Sequence, residues 1–297
     1  MYCVNENGKD STVSAFRYYP ESGKVLLINK ESAAGEDPCY IIHNELHVLI
    51  ANYESGSIAV FARKPDGSLT EAIQVIRHEG QGVDLSRQDK PHTHLVQFSP
   101  DGKLVLATNL GNDTIYIYRY DPHGPTILSL RDTLAVTPGS GPRHIVFHPH
   151  KCYFYLITEL SATIEVFNFE NETAVLTQQI PLDGENRAEY RSGGDIRLSH
   201  DGKFLYATNR GKANTVTVFK VADIGNLNII QQLDTQGDSP RNISIEPTGS
   251  YLLIAHENSD NITVFRCDKS NGTLSLTDKS INICKPVFLA FTTITKL

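Results

Sequence analysis

The chain has 297 residues, of which 40% are hydrophobic and 21% are charged, the proportions of an ordinary soluble globular protein. Its net charge of −7 at pH 7 argues against a general binder of nucleic acid or anionic membranes. No apolar run approaches the roughly 18 residues of a membrane-spanning helix, and the start, MYCVNENGKD, lacks the pattern of a signal peptide, which predicts a cytoplasmic protein.

One sequence motif occurs six times along the chain, at a period of about fifty residues. Each is a mostly apolar run that ends in a polar segment: MYCVNE from Met1, HVLIANY from His47, KLVLATNL from Lys103, YFYLITEL from Tyr153, KFLYATNR from Lys203 and YLLIAHEN from Tyr251. Such a period, filled with short strands and turn residues, is typical of a β-propeller, in which each repeat forms one four-stranded blade. We therefore predict an all-β propeller that forms a single domain over residues 1–297.

The repeat from Pro91 to Val136 contains four predicted strands in order. HLVQFS alternates apolar and polar residues, PDGK is a tight turn, and LVLATNL is a continuous apolar run that suits a strand buried on both faces. TIYIYRY is rich in β-branched and aromatic residues, and TILSLRDTLAV gives a more polar outer strand. No segment longer than about ten residues has helical periodicity.

The strand count bears on the number of blades. Strands two to four of the repeat occur six times, whereas the first strand occurs five times within the chain and once more near its end, as PVFLAF from Pro286. The chain therefore begins inside a blade, at a second strand. We expect PVFLAF either to close a six-bladed ring with the first three strands or to belong to a blade whose other strands are missing.

Ionisable residues occupy the positions at which otherwise similar repeats differ. In a propeller the first strand of each blade lines the central channel, and the loop before it shares a rim with the loop between the second and third strands. The loops of the first kind supply His92, His94, Arg143, His144, Asp195, Arg197 and Arg241. Those of the second kind supply Glu6, Tyr53, Glu159, Arg210 and Glu257. We predict that these residues form one site, joined by Arg87 of the long polar insertion between Arg77 and His94.

These residue types suit the binding and hydrolysis of a small anion. Arginine offers fixed donors to phosphate or carboxylate, and histidine exchanges protons near neutral pH. Each residue also has a structural interpretation: a single rim histidine is more often a hydrogen-bonding group than a catalyst, and Arg143 and Arg241 suit ties between blades. The number of such residues on one rim favours a site. Nucleophile-elbow, zinc and phosphate-loop motifs are absent from the sequence, so we expect no metal and no cofactor.

A known family has similar motifs in the same order. The chain contains DPCY, ANYESGSIAVF, HEGQG, RQDKPHTHLVQFSPDG, GSGPRHIVFHP, TEL, ATNRG and SPRNISIEPTGSYLLIAHENSDNITVF. Together these segments resemble the propeller-type 6-phosphogluconolactonases, a lactonase family that also includes carboxy-muconate cyclases. The resemblance covers essentially the whole chain and implies a seven-bladed, metal-independent propeller. By position it implies catalytic roles for Arg143, Glu159, Arg210 and one of His92 and His94, although TEL and TNRG stand where the family has NEL and SNRG.

The resemblance implies hydrolysis of 6-phosphoglucono-δ-lactone to 6-phosphogluconate in the pentose phosphate pathway. His92 or His94 would be the general base, Glu159 would orient it, and Arg143 and Arg210 would bind the phosphate or the oxyanion. The remaining residues of the predicted substrate site are Tyr53, Arg87, His144, Asp195, Arg197 and Arg241. Lactone formation or opening on a carboxy-muconate is an alternative reaction, and a non-catalytic propeller that binds a metabolite or a protein is an alternative of another class.

Family members carry roughly one further blade of sequence before the segment that matches MYCVNE. We therefore expect a seven-bladed propeller that lacks its N-terminal blade in this chain. We also expect it to act on a small anionic sugar lactone as a monomer or weak homo-oligomer.

Overall fold

A computed structural model describes residues 1–183 and 191–292 of the chain. This part of the chain contains strands, two short 3₁₀ helices (Gly8–Asp10 and Leu110–Asn112) and no α-helix. The prediction of an all-β chain is confirmed. Within the described residues, no helix has the length and apolar character needed to cross a membrane.

The chain divides into two compact units, residues 1–143 and 144–297. The first unit contains three antiparallel sheets, built from β1 (Tyr2–Asn5), β2 (Thr12–Tyr19) and β3 (Lys24–Ser32); from β4 (Pro38–His43), β5 (His47–Asn52), β6 (Ser57–Arg63) and β7 (Leu69–Arg77); and from β8 (Thr93–Phe98), β9 (Leu104–Asn109), β10 (Thr114–Tyr120) and β11 (Leu128–Ala135).

The second unit also contains three antiparallel sheets in the part that the structure describes. They are built from β12 (Pro142–Phe147), β13 (Tyr153–Thr158), β14 (Thr163–Glu170) and β15 (Thr173–Pro181); from β16 (Gly193–Leu198), β17 (Phe204–Asn209), β18 (Thr215–Val221) and β19 (Leu227–Asp234); and from β20 (Pro240–Ile245), β21 (Tyr251–His256), β22 (Asn261–Cys267) and β23 (Leu274–Asn282). The division between the units falls within β12, whose first two residues are counted with the first unit.

Each sheet corresponds to one repeat of the sequence. Strands that follow one another in the chain are neighbours in the sheet, as in the blades of a propeller. The first sheet has three strands and the other five have four, which is the strand count that the repeats predict. The PDG, HDG and PTG turns also form as predicted, with φ of 70° at Gly102 and 72° at both Gly202 and Gly249.

The prediction of a strand at PVFLAF is wrong, because residues 286–291 have no strand conformation. A strand requires the backbone of a neighbouring strand. In this segment the Leu289 N–H donates instead to the side-chain oxygen of Asn242, at 2.8 Å.

The core of each unit lies between neighbouring sheets. Every residue of β5, β9 and β17 is buried, in agreement with the continuous apolar runs of the sequence. In the first unit Leu49 and Val60 pack with Val105 of the next sheet, and in the second Val166 packs with Leu205. Each such fully buried aliphatic side chain contributes about 1.5–3 kcal/mol to folding.

Candidate active site

β-Bulges in the first strands of several blades lie at the predicted site residues. The pairing of β8 with β9 skips His94, and the pairing of β20 with β21 skips Arg241. Cys39 is skipped in β4 in the same way. A bulge bends the strand and redirects the side chain of the extra residue, and bulges are common beside active sites. The local backbone therefore explains why these positions differ from repeat to repeat while the rest of the strand stays regular.

Tyr53 is the centre of a cluster in the first unit. Its ring stacks on His92 with a centroid distance of 4.4 Å and meets His94 edge-on at 5.6 Å. The Arg87 guanidinium lies 3.5 Å from the Tyr53 hydroxyl, at the exposed side of the cluster. Both histidines are buried, with 6% and 4% of their surface exposed. The structure thus brings together four of the residues that the sequence predicts.

The backbone and ring of His92 are both fixed in place. Its N–H donates to the side chain of Asn109 at 2.8 Å. On the ring, Nδ1 lies 3.2 Å from the carbonyl oxygen of Tyr53 and Nε2 lies 3.6 Å from a carboxylate oxygen of Asp89. A carbonyl oxygen only accepts hydrogen bonds, so the contact with Tyr53 favours a hydrogen on Nδ1 of His92.

His94 lies beside a cysteine from the neighbouring blade. The Cys39 Sγ is 3.9 Å from His94 Nδ1, and the thiol donates to the His94 carbonyl oxygen at 3.3 Å. Cys39 and His94 occupy equivalent bulge positions in adjacent blades. Sequence reasoning assigned Cys39 no part in the site, but its alignment with His94 in the repeat was a usable signal.

Glu159 and Arg210 form a buried ion pair in the second unit. Glu159 follows β13, Arg210 follows β17, and Arg210 Nη2 lies 2.8 Å from Glu159 Oε2, with side-chain exposures of 9% and 11%. The Arg210 Nε is also buried, yet no described group accepts a hydrogen bond from it. An unsatisfied buried donor of this kind costs about 1–3 kcal/mol. This nitrogen is therefore suited to receive an anionic ligand.

The glycine pair that opens β16 leaves room for this ion pair. A Cβ at Gly194 would lie 3.3 Å from Arg210 Cγ and 2.5 Å from the carbonyl oxygen of Pro240. The Gly193 N–H donates to the Glu159 carbonyl at 2.9 Å, and the Arg210 N–H donates to Ser192. Close approach of three backbone segments explains why this repeat uses glycine where others carry a side chain.

His144, Asp195 and Arg197 form a second cluster of the same unit. His144 Nδ1 and Arg197 Nη1 lie 2.8 Å and 2.9 Å from the same oxygen of Asp195. Asp195 is completely buried, and His144 is 6% exposed. Asn242, which sequence reasoning missed, donates to the other oxygen of Asp195 at 2.7 Å. It occupies the third position of β20, as His144 and Asp195 do in β12 and β16.

The two remaining arginines differ in their surroundings. Arg143 is almost completely buried, and its carbonyl oxygen accepts a hydrogen bond from Thr108 at 2.7 Å. Arg241 Nη1 pairs with Glu257 Oε2 at 3.0 Å, and both side chains are partly exposed. Glu257 thus holds Arg241 as Glu159 holds Arg210. That the clusters of both units form one common site stays a prediction.

The chain is similar to known proteins in both sequence and fold. A family model described as "Lactonase, 7-bladed beta-propeller" matches residues 1–291. A 6-phosphogluconolactonase of Bacillus subtilis is 32% identical over 98% of this chain and 83% of that protein.

Among solved structures, a Bacteroides fragilis protein provisionally named a 6-phosphogluconolactonase is 39% identical, with a TM-score of 0.92 over 96% of this chain and 82% of that one. A periplasmic gluconolactonase of Pseudomonas aeruginosa is 31% identical, with a TM-score of 0.91 over 99% of this chain and 85% of that one.

Proposed function

The chain belongs to the seven-bladed β-propeller lactonase family, and we propose that it hydrolyses 6-phosphoglucono-δ-lactone to 6-phosphogluconate in the pentose phosphate pathway. The substrate follows from the name of the Bacillus subtilis relative, which aligns with nearly the whole chain. We also propose a cytoplasmic location and a monomer or weak homo-oligomer as the active form.

The observation that best supports this function is the Glu159–Arg210 pair. Glu159 fixes the guanidinium through one terminal nitrogen at 2.8 Å, and the buried Arg210 Nε remains without a described acceptor. Arginine presents several N–H groups in one plane, so a fixed guanidinium with an open edge can bind a phosphate oxygen or the oxyanion of a tetrahedral intermediate. The protein has a net charge of −7, so the Arg210 guanidinium has to bind an anion against the overall repulsion.

The reaction needs two kinds of group. A neutral base removes a proton from water as the water oxygen attacks the C1 carbonyl carbon, and a fixed cation stabilises the negative charge that develops on the carbonyl oxygen. The ring C1–O5 bond then breaks, and O5 leaves with a proton as the hydroxyl group of the product. We propose Arg143 and Arg210 for the cationic roles and the cluster of Tyr53, Arg87, His92 and His94 for part of the substrate site.

The decisive experiment measures hydrolysis of freshly prepared 6-phosphoglucono-δ-lactone. Formation of 6-phosphogluconate is followed through its dehydrogenase, and the rate of an enzyme-free blank is subtracted. Glucono-δ-lactone without phosphate is assayed in parallel by the consumption of base. We expect turnover of the phosphorylated lactone well above the blank, with a higher kcat/KM than for the unphosphorylated one.

Two results would count against the proposal. Rates equal to the blank with both lactones, from a folded and monodisperse sample, would refute lactone hydrolysis of this type. Turnover of glucono-δ-lactone alone would retain the lactonase and refute the phosphorylated substrate.

A further inference from the structure

Among the described contacts of the candidate histidines, that of His144 with a buried carboxylate is unlike the others. Its Nδ1 lies 2.8 Å from Asp195 Oδ1, across two neighbouring sheets of the second unit. Asp195 has no exposed surface. By contrast, the carboxylate nearest to His92, that of Asp89, is largely exposed and 3.6 Å away, and His94 Nδ1 faces the Cys39 thiol.

Asp195 is held as a carboxylate by donors on every side. Besides His144, its oxygens accept hydrogen bonds from Arg197 Nη1 at 2.9 Å, Asn242 Nδ2 at 2.7 Å and the Ile243 N–H at 3.0 Å. Burial alone would raise the pKa of Asp195, but Arg197, His144 and the backbone donor outweigh it and hold the pKa well below its usual range. All of these partners are donors, so a proton on Asp195 would displace one of them.

An ionised Asp195 determines which nitrogen of His144 carries the proton. A carboxylate only accepts hydrogen bonds, so the neutral ring must keep its hydrogen on Nδ1 and present its basic lone pair on Nε2. This is the arrangement that a carboxylate gives to a histidine base in unrelated hydrolases, where it also stabilises the imidazolium that forms during the reaction.

We propose that His144, rather than His92 or His94, is the general base of the hydrolysis, and that Asp195 is a positioning residue that fixes its tautomer. The assignment rests on the proposed lactonase function and adds to it the identity of the proton acceptor. In this proposal Tyr53, His92 and His94 take no part in proton transfer.

In this reaction one histidine both accepts the proton and returns it. His144 Nε2 takes a proton from water while the water oxygen forms its bond to C1 and the carbonyl π electrons move to the carbonyl oxygen. When these electrons return, the C1–O5 bond breaks and O5 takes the proton from Nε2. The carboxylic acid formed at C1 then releases its own proton to solvent. Nδ1 keeps its hydrogen bond to Asp195 throughout, so no proton is transferred to the carboxylate.

Two substitutions of His144 distinguish a role as general base from a purely structural role. His144→Gln keeps an N–H donor for Asp195 but has no base, and His144→Ala leaves space for a free imidazole. Loss of a general base typically lowers kcat by 10²–10⁴-fold, and we expect this loss in both variants with little change in KM. Added imidazole should restore part of the activity of His144→Ala and none of that of His144→Gln, after subtraction of the enzyme-free rate with imidazole. His150→Gln, at an exposed position just beyond the same strand, is the matched control.

Near-normal kcat in His144→Gln would overturn the proposal, because a purely structural tie to Asp195 survives that change. Imidazole rescue of His92→Ala or His94→Ala, but not of His144→Ala, would also overturn it and return the role to that residue. If the wild-type protein turns over only the unphosphorylated lactone, the same variants are tested on that substrate.

A measurement that needs no substrate tests the tautomer. The ¹⁵N shifts of the His144 ring distinguish a hydrogen on Nδ1 from one on Nε2. We expect the Nδ1–H form at neutral pH in the wild-type protein, and a change of the signal in Asp195→Asn. A ring protonated on Nε2 alone would refute the positioning role of Asp195, whether or not the protein proves to be a lactonase.

Discussion

His78 should make the stability of the protein depend on pH between about 4 and 6.5. The ring is buried after β7 and stacks on Tyr116 at a centroid distance of 3.7 Å. Its Nδ1 accepts a hydrogen bond from the Asn109 amide at 2.9 Å, and its Nε2 lies 2.8 Å from the Tyr118 hydroxyl. The neutral ring satisfies both contacts, whereas a protonated ring would place a hydrogen against the Asn109 donor.

Burial lowers the pKa of His78 from 6.5 to about 4. In the unfolded chain the imidazole takes up a proton as the pH falls below about 6.5, while the folded protein stays unprotonated there until about pH 4. The unfolded state therefore binds more protons in this range, and the free energy of unfolding falls with decreasing pH by about 1.4 kcal/mol per unit. Over the whole interval the loss amounts to about 3 kcal/mol, and above pH 6.5 the stability from this group is fully present.

Urea unfolding of the wild type and His78→Gln at pH 7, 6, 5 and 4.5 tests this prediction. Far-ultraviolet circular dichroism is the suitable signal, because the chain contains no tryptophan. His78→Gln should be less stable at pH 7 but lose less stability on acidification. Burial also lowers the pKa of other histidines, whose contributions are common to both proteins: His43, His47, His148 and His256. Equal pH slopes for the two proteins would refute the assignment, and the exposed His123→Gln serves as control.

Three further substitutions have definite expected outcomes. Arg210→Gln should lower kcat about 10²–10³-fold if the guanidinium stabilises the oxyanion. If the guanidinium binds phosphate instead, the substitution should raise KM for the phosphorylated lactone alone. Steady-state kinetics with both lactones distinguish the two roles. Gly111→Ala should destabilise the protein by about 1–3 kcal/mol in urea unfolding and lower activity, because the new Cβ would lie 1.9 Å from the Lys90 carbonyl oxygen beside the His92 loop. Asp113→Ala should lower the free energy of unfolding by about 3 kcal/mol, because the carboxylate accepts two backbone N–H groups of the loop before β12 at 2.6 and 2.9 Å.

Each of these variants has a matched control. For Arg210→Gln the control is Arg266→Gln, which removes an exposed arginine of the same unit and should leave kcat and KM unchanged. Gly102→Ala adds a Cβ with nothing within 4 Å, so only the strain of its positive φ remains. Asp113→Asn keeps an acceptor oxygen and tolerates the left-handed backbone at that position, where φ is 52°. If Gly111→Ala were no worse than Gly102→Ala, or Asp113→Ala no worse than Asp113→Asn, the corresponding contact would have no energetic role.

The sheets could be predicted from the sequence because their signals are local. Alternation of apolar and polar residues, the turn glycines and the buried second strands each depend on a few neighbouring residues, and six repeats supply the same pattern independently. The prediction of a strand at PVFLAF was wrong because an alternating apolar segment forms a strand only when it pairs with the backbone of another strand. Its Leu289 meets the side chain of Asn242 instead.

The sequence predicts the candidate residues as a set, and that they form one site stays a prediction, whereas their individual partners could not be predicted. The repeat alignment marks His144, Glu159 and Arg210 as positions that depart from the pattern. It does not reveal that Glu159 pairs with Arg210 at 2.8 Å rather than with any other ionisable group. Nor does it reveal that Asp195 is completely buried. Pairing depends on side-chain directions set by bulges and by glycine at Gly194, which are tertiary features.

One pattern in the repeats bears directly on whether the buried polar network is structural or functional. The third residue of the first strand is His144 in β12, Asp195 in β16 and Asn242 in β20, and these three are linked through the Asp195 carboxylate. The same position in β8 is Leu95, which is completely buried without polar contacts of its side chain. An apolar residue therefore suits this position of the fold. Burying a charged and two polar groups there costs free energy that their hydrogen bonds at best offset. A structural tie between strands would not require a histidine, whereas a proton acceptor held in one tautomer requires both the histidine and its carboxylate.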